Sequence, residues 1–358
     1  MRPGIQLTNS LSWESIAKAG FSYVEIPFES WKNDTGEMKK NGGLEISGWT
    51  CLLESLTKGK LQEVLSAVKT HGGDYLVLET AGCKEDRFLS LIEECHDDII
   101  AGGVTILLEN GMLGDDANGY IHGPYSEGKR LADLVKEGRR ICGEDRIGVC
   151  FNVGYANLLS QNLRTQLSYC RDCLYMVHLN DNDGFRNDKQ MPYTFTKGRG
   201  DLTTDWYGII GQLIRMHFSG WAIFDTTGLF YRCPIELHEN ALALLRQIFC
   251  TWEEELAFEE KVLAQPGRQR ILFGAGKMAE NYMDEFGEKY PPAFLVDNGE
   301  HRWGETFQDL PICSPEKILE VPEEERTVLI CCAFYDEIGR QLQEMGVSYH
   351  EYMDHYYL

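Results

Sequence analysis

The segment GVTILLEN at residues 103–110 contains the pattern that decides the fold: a glycine, a short apolar run and a carboxylate. Glycine readily adopts the left-handed conformation that closes a helix, and a short apolar run after it predicts a buried strand. The pattern recurs at Gly20 (FSYVEIPF), Gly43 (LEISGW), Gly73 (DYLVLE), Gly103 (VTILLE), Gly143 (RIGVCFN) and Gly220 (WAIFD). Together with PGIQL at 3–7 and CLYMVHLN at 173–180, these runs predict eight strands.

The segments between these strands predict helices, because their apolar residues recur at helical spacing. Examples are LSWESIAKA, LQEVLSAVKTH and YSEGKRLADLVKEGRRI. Eight strands alternating with helices predict an α/β fold, a (β/α)8 TIM barrel, whose usual length is about 250 residues. A doubly wound open sheet is the alternative, but it would need a glycine-rich phosphate turn after the first strand, and IQLTNSLSWES has none.

A second, smaller α/β unit follows the barrel. An acidic amphipathic helix over about 236–264 leads to Gln265-Pro266-Gly267, which reads as a linker. Beyond it, RQRILF, AFLVDN and TVLICCAF predict strands, and GAGKMAENYMDEF and DEIGRQLQEMG predict helices. We therefore expect a barrel over 1–250, a linker over 251–267 and a Rossmann-like domain over 268–358.

Composition narrows the function. The 358 residues carry 34 Lys and Arg against 56 Asp and Glu, a formal charge of -22. So negative a surface repels phosphate backbones, which argues against nucleic acid as a partner. No run reaches the roughly 18 apolar residues of a membrane span, and MRPGIQLTNS has no signal-peptide pattern. With twelve cysteines scattered through apolar runs, we expect a cytoplasmic protein with reduced thiols.

Polar residues end the predicted strands, where barrel enzymes place their catalytic groups. Glu25 and Glu79 can be explained as caps of the next helix. The others are expected to converge at one barrel mouth: Glu109, Asn152, His178 with Asp181, and Asp225. His122 and Arg199, in loops after strands five and seven, are candidates for holding a substrate hydroxyl or phosphate.

The first 230 residues resemble the xylose isomerase-like barrels, which include sugar isomerases, sugar epimerases and endonuclease IV-type enzymes. The resemblance rests on FSYVEIPFES, VTILLENG, RIGVCFNVGYAN, MVHLNDNDG and KGRGDLTTDWYGIIGQLIRMHFSGWAIFDTTG. It implies a divalent metal (Mn, Mg, Co or Zn) held by Glu109, Asn152, His178 and Asp225. Asn152 stands where the family has Asp, and Asp225 where it has Glu. Two supporting histidines of the family are replaced by Tyr155 and by a residue near Gln190.

Two interpretations of the barrel follow. In the first, a metal assists isomerisation or epimerisation of a sugar or sugar derivative, with Glu109 and Asp225 as the acid/base pair and with Asp181, His122, Arg199 and Tyr155 around the substrate. In the second, the barrel has lost its metal and binds a sugar, a nucleotide-sugar or a partner without catalysis. The endonuclease branch fits poorly, because it needs more metal-binding histidines and a surface compatible with DNA. A homo-oligomer is compatible with the sequence.

ILFGAGKMA places Gly274 and Gly276 after a predicted strand and at the start of a predicted helix. Asp297 ends the next strand, at a spacing that suits an acid reaching a ribose hydroxyl. Lys277 would lie near any phosphate. The segment resembles small nucleotide-binding-type domains attached to sugar-modifying enzymes, in FGAGKMAENYM, FLVDN, WGETFQDLPICSPEKI and TVLICCAFYDEIGRQLQEMG. We expect a mononucleotide or nucleotide-sugar site, with a docking or dimerisation module as the alternative.

Overall fold

The computed structural model describes residues 1–31, 43–195 and 204–354. The chain divides into two compact units, Met1–Trp252 and Glu253–Leu358.

The first unit is a closed barrel of eight parallel strands, as the sequence predicts. Each strand pairs with the next along the chain, and the last, β10, closes the barrel by pairing with the first. The barrel strands are β1 (Arg2–Gln6), β2 (Tyr23–Pro27), β3 (Glu45–Leu52), β4 (Tyr75–Glu79), β5 (Thr105–Glu109), β8 (Ile147–Asn152), β9 (Leu174–Leu179) and β10 (Trp221–Phe224). A hairpin that the sequence analysis missed, β6 (Leu113–Asp115) and β7 (Gly119–Ile121), follows β5.

Helices connect these strands. They are α1 (Trp13–Lys18), α2 (Phe28–Trp31), α3 (Lys58–His71), α4 (Phe88–Glu94), α5 (His96–Gly102), α6 (Gly128–Cys142), α7 (Val153–Leu158), α8 (Leu163–Tyr169), α9 (Trp206–Arg215), α10 (Thr227–Arg232) and α11 (His238–Leu256). Short 3-10 turns occupy Glu144–Arg146 and Ile235–Leu237. No helix in the described ranges combines the length and apolarity needed to cross a bilayer.

The barrel interior is filled by large apolar side chains from alternate strand positions. One buried cluster contains Tyr75, Val77, Leu107, Cys150, Met176, Trp221 and Ile223. Because side chains alternate between the two faces of a strand, the residue two positions further along each strand also points inward. After the last apolar member on each of these strands the next inward position is polar, so the apolar layers support a polar layer at the carboxyl ends of the strands. The pairs are Val77 and Glu79, Leu107 and Glu109, Cys150 and Asn152, Met176 and His178, and Ile223 and Asp225.

The predicted helix-closing glycines take two forms. Gly20, Gly43, Gly73, Gly103 and Gly143 have positive φ angles between 73° and 128°. Gly220 does not, and for it the prediction of a left-handed residue is wrong. A Cβ there would lie 2.2 Å from the Tyr175 carbonyl oxygen, so this glycine is required for close backbone packing instead.

The second unit contains a six-stranded sheet with helices on it. Its strands are β11 (Gln269–Phe273), β12 (Pro292–Val296), β13 (Thr306–Phe307), β14 (Leu310–Cys313), β15 (Arg326–Ile330) and β16 (Tyr349–Glu351). Its α-helices are α12 (Lys277–Tyr282) and α13 (Tyr335–Glu344). Shorter helical turns occupy Glu259–Leu263, Met283–Gly287, Glu300–Arg302, Pro315–Glu320 and Glu323–Glu325.

The strand order of this sheet is β13-β14-β12-β11-β15-β16, and β13 runs antiparallel to β14. The sequence analysis identified three of its strands and missed β13, β14 and β16, which are two to four residues long and carry weak periodicity. The sheet is mixed, so the Rossmann-like assignment stays a prediction.

Candidate functional site

The polar layer at the carboxyl ends of the barrel strands contains seven residues that we call the barrel mouth, and beside them Gln6 Nε2 donates to Glu25 Oε1 at 3.0 Å. Six are positioned by the strands themselves, because each lies two residues after an inward-facing position. The barrel mouth consists of Glu25, Glu79, Glu109, Asn152, His178, Lys189 and Asp225.

His178 joins two carboxylates across the barrel. Its Nδ1 lies 2.6 Å from Glu109 Oε1, and its Nε2 lies 2.9 Å from Glu25 Oε1. All three side chains are at most 1% exposed. Burial alone would lower the pKa of the imidazole, but the neighbouring Cys150 and the two carboxylates hold that pKa well above its usual value. Both ring nitrogens face carboxylate oxygens, an arrangement that favours the imidazolium form, in which each N–H donates to one carboxylate.

Asn152 turns its amide group towards Glu109. Its Nδ2 donates to Glu109 Oε1 over 2.9 Å. Its Oδ1 accepts the Tyr155 backbone N–H at 3.1 Å, capping α7, and also the Asn180 amide at 3.0 Å. The oxygen that would coordinate a metal is therefore occupied by the helix cap, and a donor faces the carboxylate.

Lys189 lies at the mouth beside the eighth strand. Its Nζ is 2.6 Å from Asp225 Oδ2, and the two side chains are 18% and 2% exposed. The ammonium also lies 5.7 Å from the centre of the Tyr155 ring. Burial opposes the charge, but Asp225, Tyr155 and Glu79 hold the pKa of Lys189 well above its usual value. The sequence does not predict Lys189 as a site residue, although the family resemblance puts a lost histidine near the next residue, Gln190.

Glu79 belongs to the same electrostatic group. Burial and the Glu109 carboxylate raise its pKa to about 7, while Lys189 and His178 oppose the rise. Sequence reasoning favoured a helix-capping role for Glu79 and for Glu25. In the structure Glu25 contacts His178 instead, and Glu79 lies in the field of the Glu109 carboxylate.

The chain offers a candidate metal group, but the predicted four-ligand set fits poorly. Glu109, Cys150 and His178 each place one potential ligand atom within 4.8 Å of the others. Of the predicted ligands, however, Asn152 presents an amide nitrogen and Asp225 is paired with an ammonium. His178 has both ring nitrogens on carboxylates. The four-ligand centre remains a prediction that these contacts oppose.

Several buried carboxylate oxygens of the mouth have no hydrogen-bond partner in the described residues: Glu25 Oε2, Glu109 Oε2 and Asp225 Oδ1. A buried acceptor without a partner is costly, and such atoms mark places where a ligand, water or proton belongs.

The residues predicted to surround the substrate have different environments. Asp181 is fully buried and accepts from Thr204 Oγ1 (2.7 Å), the Asn182 N–H (2.9 Å) and Trp206 Nε1 (3.3 Å), which makes it an anchor for the loop after β9. Tyr155 is 3% exposed and faces Lys189. His122 lies exposed just after β7. Arg199 lies outside the described residues.

In the second unit, the predicted nucleotide-binding residues meet at a turn after β11, which we call the glycine turn (Gly274, Ala275, Gly276, Lys277, Asp297 and Arg302). Gly274 has φ +106°. Asp297 Oδ2 accepts the Ala275 N–H and an Arg302 guanidinium N–H, both at 3.2 Å, and Oδ1 accepts the Gly299 N–H at 2.8 Å. Lys277 is paired with Glu280 at 3.0 Å, and its side chain is 58% exposed. Each charged group here is thus satisfied by a neighbour.

Comparison with solved structures shows the barrel fold. The chain is similar to 3-keto-D-glucoside 4-epimerase from E. coli, with 16% identity and a TM-score of 0.51 over 69% of this chain and 99% of that one. It is similar to an L-ribulose 3-epimerase, with 12% identity and a TM-score of 0.55 over 75% and 99%. A structure described as the IOLI protein with a binding zinc atom gives 15% identity and 0.54 over 72% and 99%.

At 12–16% identity these likenesses show that the first unit has the same barrel fold as these proteins, as the sequence predicts. No family model and no curated protein matches the sequence.

Proposed function

We propose that the barrel catalyses isomerisation or epimerisation of a sugar or sugar derivative by moving a proton at a carbon next to a carbonyl. The observation that carries this proposal is the pair of buried acids, Glu109 and Asp225, each with one carboxylate oxygen that lacks a described partner. The similar solved structures include sugar epimerases, which supports the same class of chemistry.

Some residues of the mouth hold the two acids in place, and the two acids transfer the protons. His178 and Asn152 both donate to Glu109 Oε1, which fixes that carboxylate and leaves Oε2 to take a proton. Lys189 holds Asp225 Oδ2 and leaves Oδ1 to carry a second proton, which Asp225 must bear when the substrate binds. When Glu109 takes the proton from carbon, the C–H electron pair forms a carbon–carbon double bond and the π pair of the carbonyl moves onto its oxygen. Delivery of the Asp225 proton to the other face, or to the neighbouring carbon, then gives the epimer or the isomer.

Glu79 extends the proton-transfer capacity of the mouth. With a pKa of about 7 it is protonated in part of the molecules at neutral pH, so it can either donate to or accept from a substrate hydroxyl.

A divalent metal is a second candidate feature of this site. Glu109, Cys150 and His178 would hold it, and their thiolate and imidazole ligands suit Zn better than Mn, Mg or Co. Bound there, it would polarise a substrate oxygen. His178 would first have to give up a proton and its contact with a carboxylate, so none of the steps above depends on a metal.

The experiment is proton exchange in D2O, followed by ¹H NMR, with D-fructose, D-tagatose and D-allulose as probes. Wild-type protein should deplete the signal of the proton beside the carbonyl, and Glu109→Gln should slow this by about 10²–10⁴-fold. Glu93→Gln, an exposed glutamate of α4, is the matched control and should retain the wild-type rate. Exchange at equal rates in the wild type and in Glu109→Gln would contradict the proposal.

The alternative is a non-catalytic sugar or nucleotide-sugar binding protein. It is favoured by the contacts of Asn152 and Asp225, which depart from a metal centre. Saturable binding of a probe without any exchange of its protons would select this alternative.

For the second unit we propose a nucleotide or nucleotide-sugar site at Gly274, Gly276, Lys277 and Asp297. Support comes from the left-handed Gly274 and from the contact between the Ala275 N–H and Asp297, which bring the predicted elements together. Calorimetric titration with UDP tests it, and Asp297→Asn should weaken binding. The proposed boundaries are those of the sequence analysis (1–250, 251–267 and 268–358), and a cytoplasmic location remains part of the proposal.

A further inference from the structure

Lys189 has hydrogen-bond donors to which the proposed function gives no role. Its ammonium is mostly buried at the mouth, with a direct partner in Asp225 at 2.6 Å and the centre of the Tyr155 ring 5.7 Å away. An ammonium has three N–H donors. Among the described residues the Asp225 carboxylate takes one, which leaves donors for a ligand.

The backbone around Lys189 is built to hold it there. Asp181 and Gln190 form a β-bridge with N–H to O distances of 2.8 and 2.9 Å, and the Leu229 N–H donates to the Lys189 carbonyl at 3.3 Å. Lys189 itself has φ +46°, a left-handed conformation that non-glycine residues adopt at a cost.

Gly228 allows this segment to approach α10. A Cβ at Gly228 would lie 1.8 Å from the Asp188 carbonyl oxygen, so a larger residue could not occupy the position without displacing the turn. Arg232 pairs with Asp188 at 2.7 Å on the same turn. The lysine is therefore fixed by several independent contacts rather than placed by a loose loop.

We propose that the Lys189 ammonium is the resident cation of the barrel mouth, standing at the eighth-strand acid in place of a divalent metal. In the proposed reaction, on which this step depends, Lys189 donates a hydrogen bond to the carbonyl oxygen of the substrate. As Glu109 removes the proton from carbon, the C–H electron pair forms a carbon–carbon double bond, the π pair of the carbonyl moves to that oxygen, and the ammonium stabilises the negative charge while keeping its own proton.

Electrostatic repulsion explains why the Lys189 ammonium and a divalent metal ion would exclude each other. A dication at Asp225 would lie within a few ångströms of a fixed ammonium in a poorly solvated site, where like charges repel strongly. Removing the ammonium leaves a buried carboxylate near Glu79 and Glu109, which is an oxygen-rich set suited to Mn²⁺.

The experiment is a Mn²⁺ titration of the full chain, with free Mn²⁺ measured by EPR. Wild type should bind Mn²⁺ weakly, Lys189→Arg should match it, and Lys189→Met should bind at least tenfold more tightly. Lys289→Met is the control, because Lys289 forms an ion pair of the same 2.6 Å length with Glu259 in the second unit. This control should match wild type.

The double variant Lys189→Met/Asp225→Asn keeps the space vacated by the ammonium but removes the carboxylate that would bind Mn²⁺. It also leaves no unpaired buried carboxylate, so it can be measured if the single variant fails to fold. It should bind Mn²⁺ no more tightly than wild type. Tight stoichiometric Mn²⁺ binding by wild type, or an equal gain in the double variant, would overturn the proposal. These readouts need no substrate, so an inactive wild type with the expected Mn²⁺ pattern would refute the proposed function and leave the cation assignment intact.

Discussion

The barrel mouth and the glycine turn both follow parallel strands and both carry the acids and lysines that a ligand site needs. They differ in how those charges are satisfied. At the mouth, Glu109, His178 and Asp225 are at most 2% exposed, and carboxylate oxygens remain without a described partner. At the glycine turn, Asp297 accepts hydrogen bonds from two backbone N–H groups and from Arg302. Lys277 is exposed to solvent and pairs with Glu280.

This difference predicts that the charges of the barrel mouth cost the folded state more free energy than those of the glycine turn. Burying charges costs free energy unless each has a good partner, and that cost is tolerated mainly at functional sites. Exposed pairs such as Lys277 with Glu280 contribute little. Four substitutions turn the contrast into measurements of stability, taken from the largest expected effect to the smallest.

His178→Ala should produce the largest loss. It removes the group that pairs Glu25 with Glu109 and leaves both carboxylates buried, so we expect the free energy of unfolding to fall by about 3–5 kcal/mol. Urea denaturation monitored by near-UV circular dichroism measures it. His122→Ala, at an exposed position, is the control and should change stability by less than about 0.5 kcal/mol. If His178→Ala and His122→Ala both lowered the free energy of unfolding only slightly, the charges of the barrel mouth would not be costly in the way proposed.

Glu79→Gln should change stability in the opposite direction, and only above a certain pH. The folded pKa of Glu79 is about 7, above the ordinary value of 4.5, so the folded state binds the proton more tightly than the unfolded state. The stability that this bound proton gives the folded state is fully present below about pH 4.5, and it is lost as the pH rises through the folded pKa of about 7. At pH 8 the variant should therefore be more stable than wild type by up to about 3 kcal/mol.

Thermal unfolding of wild type and Glu79→Gln between pH 5 and pH 8 measures this effect, with Glu93→Gln as the control. The wild type and the control should lose stability over this range relative to Glu79→Gln. Parallel pH profiles for all three proteins would show that Glu79 ionises normally.

Asp297→Ala should have a moderate effect at the glycine turn. It removes the acceptor of the Ala275 and Gly299 N–H groups, and Ala275 is buried, so we expect a loss of about 1–2 kcal/mol. Urea denaturation monitored by near-UV circular dichroism, as for His178→Ala, measures it. A loss as large as that of His178→Ala would make the two regions equivalent.

Lys277→Ala should have the smallest effect, below about 0.5 kcal/mol, because its ion pair with Glu280 is exposed and screened. The measurement is the shift of the denaturation midpoint at low and at high salt. A salt-sensitive loss above about 1 kcal/mol would show that Lys277 interacts with more than Glu280.

Much of the barrel could be predicted because its signals are local. The glycine and the apolar run around Gly103 and Glu109 specify a helix end and a buried strand without information from elsewhere in the chain. The short strands β13, β14 and β16 could not be predicted this way, since two to four residues carry too little periodicity.

The candidate site was predictable only in part. Glu109, His178 and Asp225 were identified by their position at strand ends, which the alternation of strand side chains turns inward. Lys189 carries no such signal, because its place depends on its own left-handed backbone, on the β-bridge between Asp181 and the next residue, Gln190, and on the absence of a side chain at Gly228. The direction of the Asn152 amide depends on Tyr155 and Asn180.

The sequence by itself thus determined a (β/α)8 barrel followed by an α/β unit, with acids and a histidine at the strand ends, because strand period and helix caps are properties of neighbouring residues. Only the tertiary structure decided which charges meet. Residues as distant in the chain as Glu25 and His178 come to 2.9 Å, and a loop lysine takes the acid expected to hold a metal. Electrostatic interactions in a poorly solvated site depend on distances across the barrel, and those distances arise only when the barrel closes.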